Sequence, residues 1–525
     1  MTLVALFLLN LALTLQNVWP TLAVRWVGEC SVELAALLLV LAVLSSRPGL
    51  IKRWHASLLA FLLLLLTLGR YVDETAPALY GRPINLYWDM PHVGSVIGMV
   101  TTVMSGWLLA AGIAAAAILL ALLYLLLRVA IARVLRAMED RRWRIGLGSA
   151  AALLLCLFVA QRVDQRVPGT PEFARPVLLT MARQFVSIRD AMAGSRAAQA
   201  LPASPPLQRD LRGLAGSDVL LLLLESYGRA TYDRPEFEHA LRASRADLAA
   251  SITETHRRVV SAFVESPTFG GNSWLAQLTL MTGVEVRNQQ QYDLLLTQQR
   301  ESLSTVFKAH GYRSVAVMPG LRLSWPEGSF YRFDTLYGEK ALDYQGPAFG
   351  WWRIPDQFAL ARVDQLELQA QSRKPVFLFY PTISTHLPFR PVPPYQPDWQ
   401  RMLTREPFDA ATLRAALTQE PEWTNLGKAY VEAMGYSFAT VGGYLRSRPA
   451  TSLVLIVIGD HQPAASVSGR NANWDVPVHV ITENEAVIAA LLKRGFTAGL
   501  NPANEHLGPM QALTTILMDS LATPQ

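Results

Sequence analysis

Five long apolar runs crowd into the first 163 of the chain's 525 residues. They cover 3–24, 32–46, 56–68, 96–127 and 145–160, and only short polar loops separate them. A helix needs about 20 residues to cross the hydrocarbon of a bilayer. Runs of this kind leave no polar face to turn toward water, so the buried core of a soluble protein is excluded. The pattern predicts an α-helical transmembrane bundle of about five spans over residues 1–163. A cleaved signal peptide would supply one apolar stretch, so the segment is read as retained.

Charge placement orients that bundle. The loop after the second run carries Arg47, Lys52 and Arg53, and the loop after the fourth carries Arg128, Arg133, Arg136, Arg141, Arg142 and Arg144. The intervening loops mix Arg25, Arg70 and Arg82 with Glu29, Asp73, Glu74 and Asp89. By the positive-inside rule the two basic loops face the cytoplasm, so the fifth span leads outward and everything after about Asp164 is extracytoplasmic. The basic loops account for the net charge of +6, and no basic patch is left to bind nucleic acid. Few ionisable residues lie within the runs, which argues against a transporter. Both cysteines, Cys30 and Cys156, fall in the membrane half, so the outer half relies on a hydrophobic core instead of disulfides.

Residues 164–216 read as a connection: a helical stretch over 176–192, then an Ala/Pro/Ser-rich linker over 197–206. From 217 to 525 apolar runs alternate with helical patterns, which predicts an α/β domain with a mostly parallel sheet. The expected strands are 219–224, 314–318, 376–380, 453–458 and 478–481, and helices are expected over 303–309, 356–370 and 429–446. Such sheets bind ligands beyond the C-terminal ends of their strands. Glu225 follows the first strand, His386 follows the third, and Asp460 and His461 follow the fourth. Carboxylates and imidazoles without thiolates suit a divalent zinc, manganese or magnesium ion.

A hydrolytic or transferring metal site also needs an attacking group. The segment from Thr268 to Gly283 places Ser273 after Gly270, Gly271 and Asn272, at the start of an apolar helical stretch. There helix amides would favour an anionic substrate. The alternative is that Ser273 or Asn272 merely caps the helix.

These motifs together resemble the alkaline phosphatase and sulfatase superfamily. The spacing from Ser273 to Thr282-Gly283 is similar to the sulfatase signature, and the chain order of first-strand acid, nucleophile helix, His-x-Pro-Phe-like segment and Gly-Asp-His agrees. The anchor and the lone Glu225 look most like the branch of lipoteichoic acid synthase and other membrane phosphoglycerol or phosphoethanolamine transferases. The resemblance implies Glu225, Ser273, Asp460 and His461 as metal ligands, Ser273 as nucleophile, and His386, with Trp325 and Arg332, as substrate contacts. That branch usually has threonine where Ser273 stands. Leu275 and Gln277 occupy the positions where the formylglycine signal of true sulfatases needs Pro or Ala and Arg. The resemblance therefore implies an enzyme integral to the bacterial inner membrane, with a periplasmic catalytic domain. It would move a phosphoryl-linked group from a membrane phospholipid donor to an envelope glycan or lipid acceptor. A sulfatase-like hydrolase is the alternative, and a non-catalytic scaffold would have no reason to keep all four metal-type residues.

Overall fold

The computed structural model describes the chain except at residues 48, 91–92, 95–96, 99–100, 102–105, 164–170, 194–200, 323, 371, 450 and 523–525. The start of the fourth expected run and the first residues of the expected linker thus lie outside the described residues. By contacts the chain divides into two units, Met1–Gly194 and Ser195–Gln525.

The N-terminal unit is helical: α1 (Thr2–Thr14), α2 (Val32–Leu44), α3 (Arg53–Tyr80), α4 (Gly106–Ala137), α5 (Arg141–Val163) and α6 (Val177–Ala193). Its core joins Leu9, Leu13, Leu38, Leu63, Leu127, Ile131 and Val134. The outward side chains, such as Ile113, Ile118, Leu119 and Leu122, are also apolar and exposed, an arrangement stable against hydrocarbon but not against water. Among the described residues three helices, within α3, α4 and α5, are long and apolar enough to cross a membrane. At the first two of the about five expected spans, α1 and α2 are shorter apolar helices of 13 residues each. At 1.5 Å per residue they reach roughly 20 Å. The first run stops at Thr14 because Gln16 and Asn17 turn into a short hairpin with Val24 and Arg25. Conversely, α3 continues past its apolar run because Arg70 pairs with Glu74 at 3.0 Å and donates to the Leu15 carbonyl. Glu33, the ionisable residue near a span end, caps α6 by accepting from the Val177 and Leu178 amides at 2.5 and 3.4 Å.

The C-terminal unit is built on a nine-stranded mixed sheet. In chain order its main elements are β1 (Asp218–Leu224), α7 (Pro235–Glu254), β2 (Arg258–Glu265), α8 (Ser273–Thr282), α9 (Leu303–Ala309), β3 (Arg313–Met318), β4 (Thr335–Gly338), α10 (Asp356–Val363), β5 (Val376–Pro381), α11 (Gly427–Ser447), β6 (Leu453–Gly459), β7 (Asp475–Thr482), β8 (Thr497–Ala498), β9 (His506–Pro509) and α12 (Met510–Leu521). The strand order is β8-β2-β7-β6-β1-β5-β3-β4, with β9 also pairing to β2. Strands β6, β1, β5, β3 and β4 are parallel. After Asp218, strand β1 is apolar to its end because both its faces are covered. Val219, Leu221 and Leu223 pack toward α8 and α12, whereas Leu220, Leu222 and Leu224 pack toward α7, α10 and α11.

Two features depart from the sequence reading. Strand β7 is antiparallel to β6, because the connection 460–474 is occupied by a polar loop and one short helix, Ala465–Ser468, and so returns beside β6 without a crossover. The expected helix 356–370 is α-helical only to Val363 and continues as a π-helical stretch over Asp364–Leu368.

Candidate metal centre

The register of three neighbouring parallel strands assembles the site. Leu224 pairs with Gly459 and Leu223 with Pro381. One step past these pairs, Glu225 and Asp460 emerge at the same sheet edge, as expected for the C-terminal ends of parallel strands. Gly459 is required there, because a Cβ at that position would lie 1.8 Å from the Tyr227 carbonyl oxygen. The turn after β1 is itself strained, with Ser226 at φ +57°.

Ser273 arrives from a separate element. Gly270 and Gly271 both have positive φ, and the Gly270 amide donates to the Gln462 carbonyl at 3.1 Å, which ties this loop to the one after β6. Asn272 precedes α8 in a left-handed conformation, and its side chain makes no cap bond. Ser273 is the first helical residue, and its Oγ turns away from the helix, donating to Glu225 Oε2 at 3.0 Å and lying 3.1 Å from His461 Nε2. The simple-cap alternative therefore fails for both residues.

Glu225, Asp460 and His461 are buried, and each offers a ligand atom within 4.8 Å of the other two. Asp460 Oδ1 accepts from the Ser226 and His461 amides at 2.8 and 2.7 Å. Its Oδ2 faces His461 Nε2 at 3.6 Å, and Glu225 Oε1 lies 3.4 Å from the same nitrogen. His461 Nδ1 is 2.8 Å from the Gln462 carbonyl, so Nδ1 carries a proton and Nε2 is the nitrogen turned to the carboxylates, where a metal would take its lone pair. Four acceptor-rich atoms thus converge with one hydroxyl proton among them. Burial and the neighbouring Glu225 push Asp460 up to about 7. Burial opposes the charged form of His461, yet the Asp460 and Glu225 carboxylates hold it above its ordinary value. Both shifts express one demand, for positive charge at the centre of the group, and this is the fit a divalent ion requires.

His386 stands on the loop after β5. That loop is fastened by Asp356, a buried carboxylate that accepts from the Tyr380 hydroxyl at 2.9 Å, the Ile383 amide at 3.0 Å and the Ser384 amide at 2.8 Å. His386 Nδ1 lies 2.8 Å from the Leu387 carbonyl, and its ring meets Trp352 edge to face at 4.7 Å. Burial holds its pKa below the ordinary histidine value, and the charge of nearby His461 pushes the same way. Trp325 and Arg332 are elsewhere in the packing. The Trp325 ring stacks on Tyr331 at 5.4 Å, and Arg332 has φ +53°. Among the described residues no hydrogen bond, ion pair or ring contact joins either to Glu225, Ser273, Asp460 or His461. Sequence reasoning missed Ser226, whose Oγ donates to Glu225 Oε1 at 3.0 Å, and Thr385, whose Oγ1 donates to the Glu225 carbonyl at 2.5 Å. Each stands next to a residue already singled out, and that adjacency was the available signal.

Residues 248–480 match the family model for sulfatases. The C-terminal unit carries a sulfatase-family domain. It is an enzyme of the sulfatase-like hydrolase or transferase kind. A comparison by sequence with curated proteins finds no match. Among solved structures the chain is similar to a protein of the alkaline phosphatase superfamily from Vibrio parahaemolyticus, at 18% identity, 54% of this chain, 63% of that one and a TM-score of 0.36. It is also similar to the lipoteichoic acid synthase from Listeria monocytogenes, at 13% identity, 61% and 76% coverage and a TM-score of 0.36. The integral membrane lipooligosaccharide phosphoethanolamine transferase A from Neisseria meningitidis matches at 14% identity, over 94% of this chain and 88% of that one, with a TM-score of 0.47.

Proposed function

We propose that the sulfatase-family domain transfers a phosphoryl-linked group, phosphoglycerol or phosphoethanolamine, from a membrane phospholipid to an envelope glycan or lipid hydroxyl through a Ser273-linked intermediate. The observation that carries this reading is the Ser273 hydroxyl, held at a helix N-terminus between Glu225 and His461 at 3.0 and 3.1 Å. A divalent ion held by Glu225, Asp460, His461 and Ser273, with zinc or manganese favoured by the imidazole, would supply Lewis-acid charge for the serine oxygen and the substrate phosphate.

The chain's own groups do the rest. Ser273 Oγ forms a bond to phosphorus while the lipid's glyceryl O–P bond breaks. The serine proton moves toward Glu225 Oε2, where it already points, and the departing diacylglycerol oxygen takes up a proton. The N-terminal end of α8 would favour the anionic phosphoryl oxygens. In the second step an acceptor hydroxyl attacks the phosphoserine diester, the Oγ–P bond breaks, and Ser273 regains a proton. His386, with Nδ1–H directed at the Leu387 carbonyl and its pKa held low, offers Nε2 to bind the acceptor hydroxyl and receive its proton.

Direct attack by serine explains why Leu275, 3% exposed in the core, need not be the residue that formylglycine conversion requires. The test is mass spectrometry of the full chain after brief incubation with phospholipid. A phosphoglycerol or phosphoethanolamine adduct is expected on Ser273 and is absent from Ser273→Ala. An adduct on Thr268 or Thr279 would assign the nucleophile elsewhere.

A further inference from the structure

The N-terminal unit contains a cavity of about 690 Å³ where the start of α3 meets the end of α4. It is lined by Lys52, Arg128, Arg133 and Arg136 together with apolar side chains, including Ile51, Ala56, Ala132 and Leu135. Glu139 is the one carboxylate among the lining residues. Arg128 donates to Ser57 Oγ at 3.1 Å. Among the described residues no carboxylate forms an ion pair with Lys52, Arg128, Arg133 or Arg136.

Orientation alone explains why these loops are basic, and it explains Arg141 and Arg142 equally well. It does not explain why four cations line one cavity together with apolar side chains. Four converging cations cost mutual repulsion unless an anion lies between them. The apolar lining residues match the first carbons of an acyl chain, which a small hydrated anion lacks. We propose that this cavity binds the headgroup of an anionic phospholipid such as cardiolipin or phosphatidylglycerol in the cytoplasmic leaflet. Basic pockets between membrane helices on that side hold such headgroups through charge and the adjoining apolar surface. The site lies in the N-terminal unit and uses none of the residues assigned to phosphoryl transfer. It rests on the reading of that unit as membrane-embedded.

The test is native mass spectrometry and thermal melting of the full chain in detergent, with cardiolipin, phosphatidylcholine or inorganic phosphate added. Cardiolipin is expected to remain bound and raise the melting temperature, whereas phosphatidylcholine and phosphate at equal concentration do not. Each basic side chain near an anionic headgroup contributes about fivefold in affinity, so R133Q/R136Q is expected to weaken cardiolipin binding about 25-fold. R141Q/R142Q removes the same charge from the start of α5, outside the cavity, and is expected to keep the binding. Ala132→Trp, which fills part of the cavity without altering charge, gives a second loss should the double arginine variant fail to fold. Equal loss in both arginine pairs would reduce the effect to diffuse surface charge. Absence of a cardiolipin preference, or equal stabilisation by inorganic phosphate, would overturn the proposal. Sidedness is not at stake in detergent, so a wrong topology would show separately in membrane reporters.

Discussion

Ser273 has one proton and two acceptors within 3.1 Å, so its side chain serves the site and not the helix. Ser273→Ala is therefore expected to leave the melting temperature of the domain close to that of the wild type while abolishing the phosphoserine adduct. His386 predicts a pH dependence. Its folded pKa lies below the ordinary value of about 6.5, so the ring stays neutral at pH 7 and protonates only at lower pH. Transfer should fall as pH drops through that depressed value. His386→Gln should remove this acidic limb and slow acceptor transfer more than adduct formation; an unchanged limb would assign the titration to another group. At this scale much was legible, since Glu225, Asp460 and His461 each follow an apolar strand run directly. For Trp325 the local signal of an aromatic residue in a loop does not foretell its packing, and the structure stacks its ring on Tyr331.

The elements hold these residues through buried polar braces. Asp356, at the start of α10, receives two amides and a hydroxyl from the end of β5 and the loop that follows. Asp356→Asn would replace one acceptor oxygen by a donor facing donors, at a cost of about 1–3 kcal/mol. The expected result is a looser His386 loop, with acceptor transfer lost and metal content retained; loss of metal instead would place Asp356 in support of the metal ligands. On β7, His479 lies 2.6 Å from Ser261 Oγ and 2.9 Å from the Tyr227 hydroxyl. Burial, aided by the Arg245 charge, lowers its pKa to about 3. In the unfolded chain it would titrate near 6.5. Above that value both states are neutral and the stabilisation is complete; as pH falls from about 6.5 toward about 3 the unfolded state gains the proton and stability is lost. His479→Asn should flatten the acid side of the stability curve by up to one proton, measured by melting across pH. An unaltered slope would mean that His479 is already protonated in the fold. Most strands were visible as apolar runs, but the direction of β7 was not, since period and composition do not distinguish parallel from antiparallel pairing.

For the whole molecule, the sequence separated an apolar half from an α/β half, while helix length had to come from the structure. Among the described residues three helices are long enough to span and two apolar ones have 13 residues; local polar residues at Gln16, Asn17 and Arg70 set the ends. The charge asymmetry predicts that a reporter fused after Arg144 is cytoplasmic and one fused after Asp210 is periplasmic. Both on one side would remove α5 as a span. The central claim is that this enzyme takes its phosphoryl group from lipid and passes it to a hydroxyl. It is tested most directly by reconstituting the full chain in vesicles with headgroup-labelled phospholipid and following diacylglycerol, enzyme-bound label and label on an added glycan acceptor. The account predicts a burst of one diacylglycerol per Ser273, matched by label on the enzyme, and then label on the acceptor in step with further diacylglycerol. Label released only to water, with no enzyme-bound burst and no acceptor product, would contradict it and leave a sulfatase-like hydrolase.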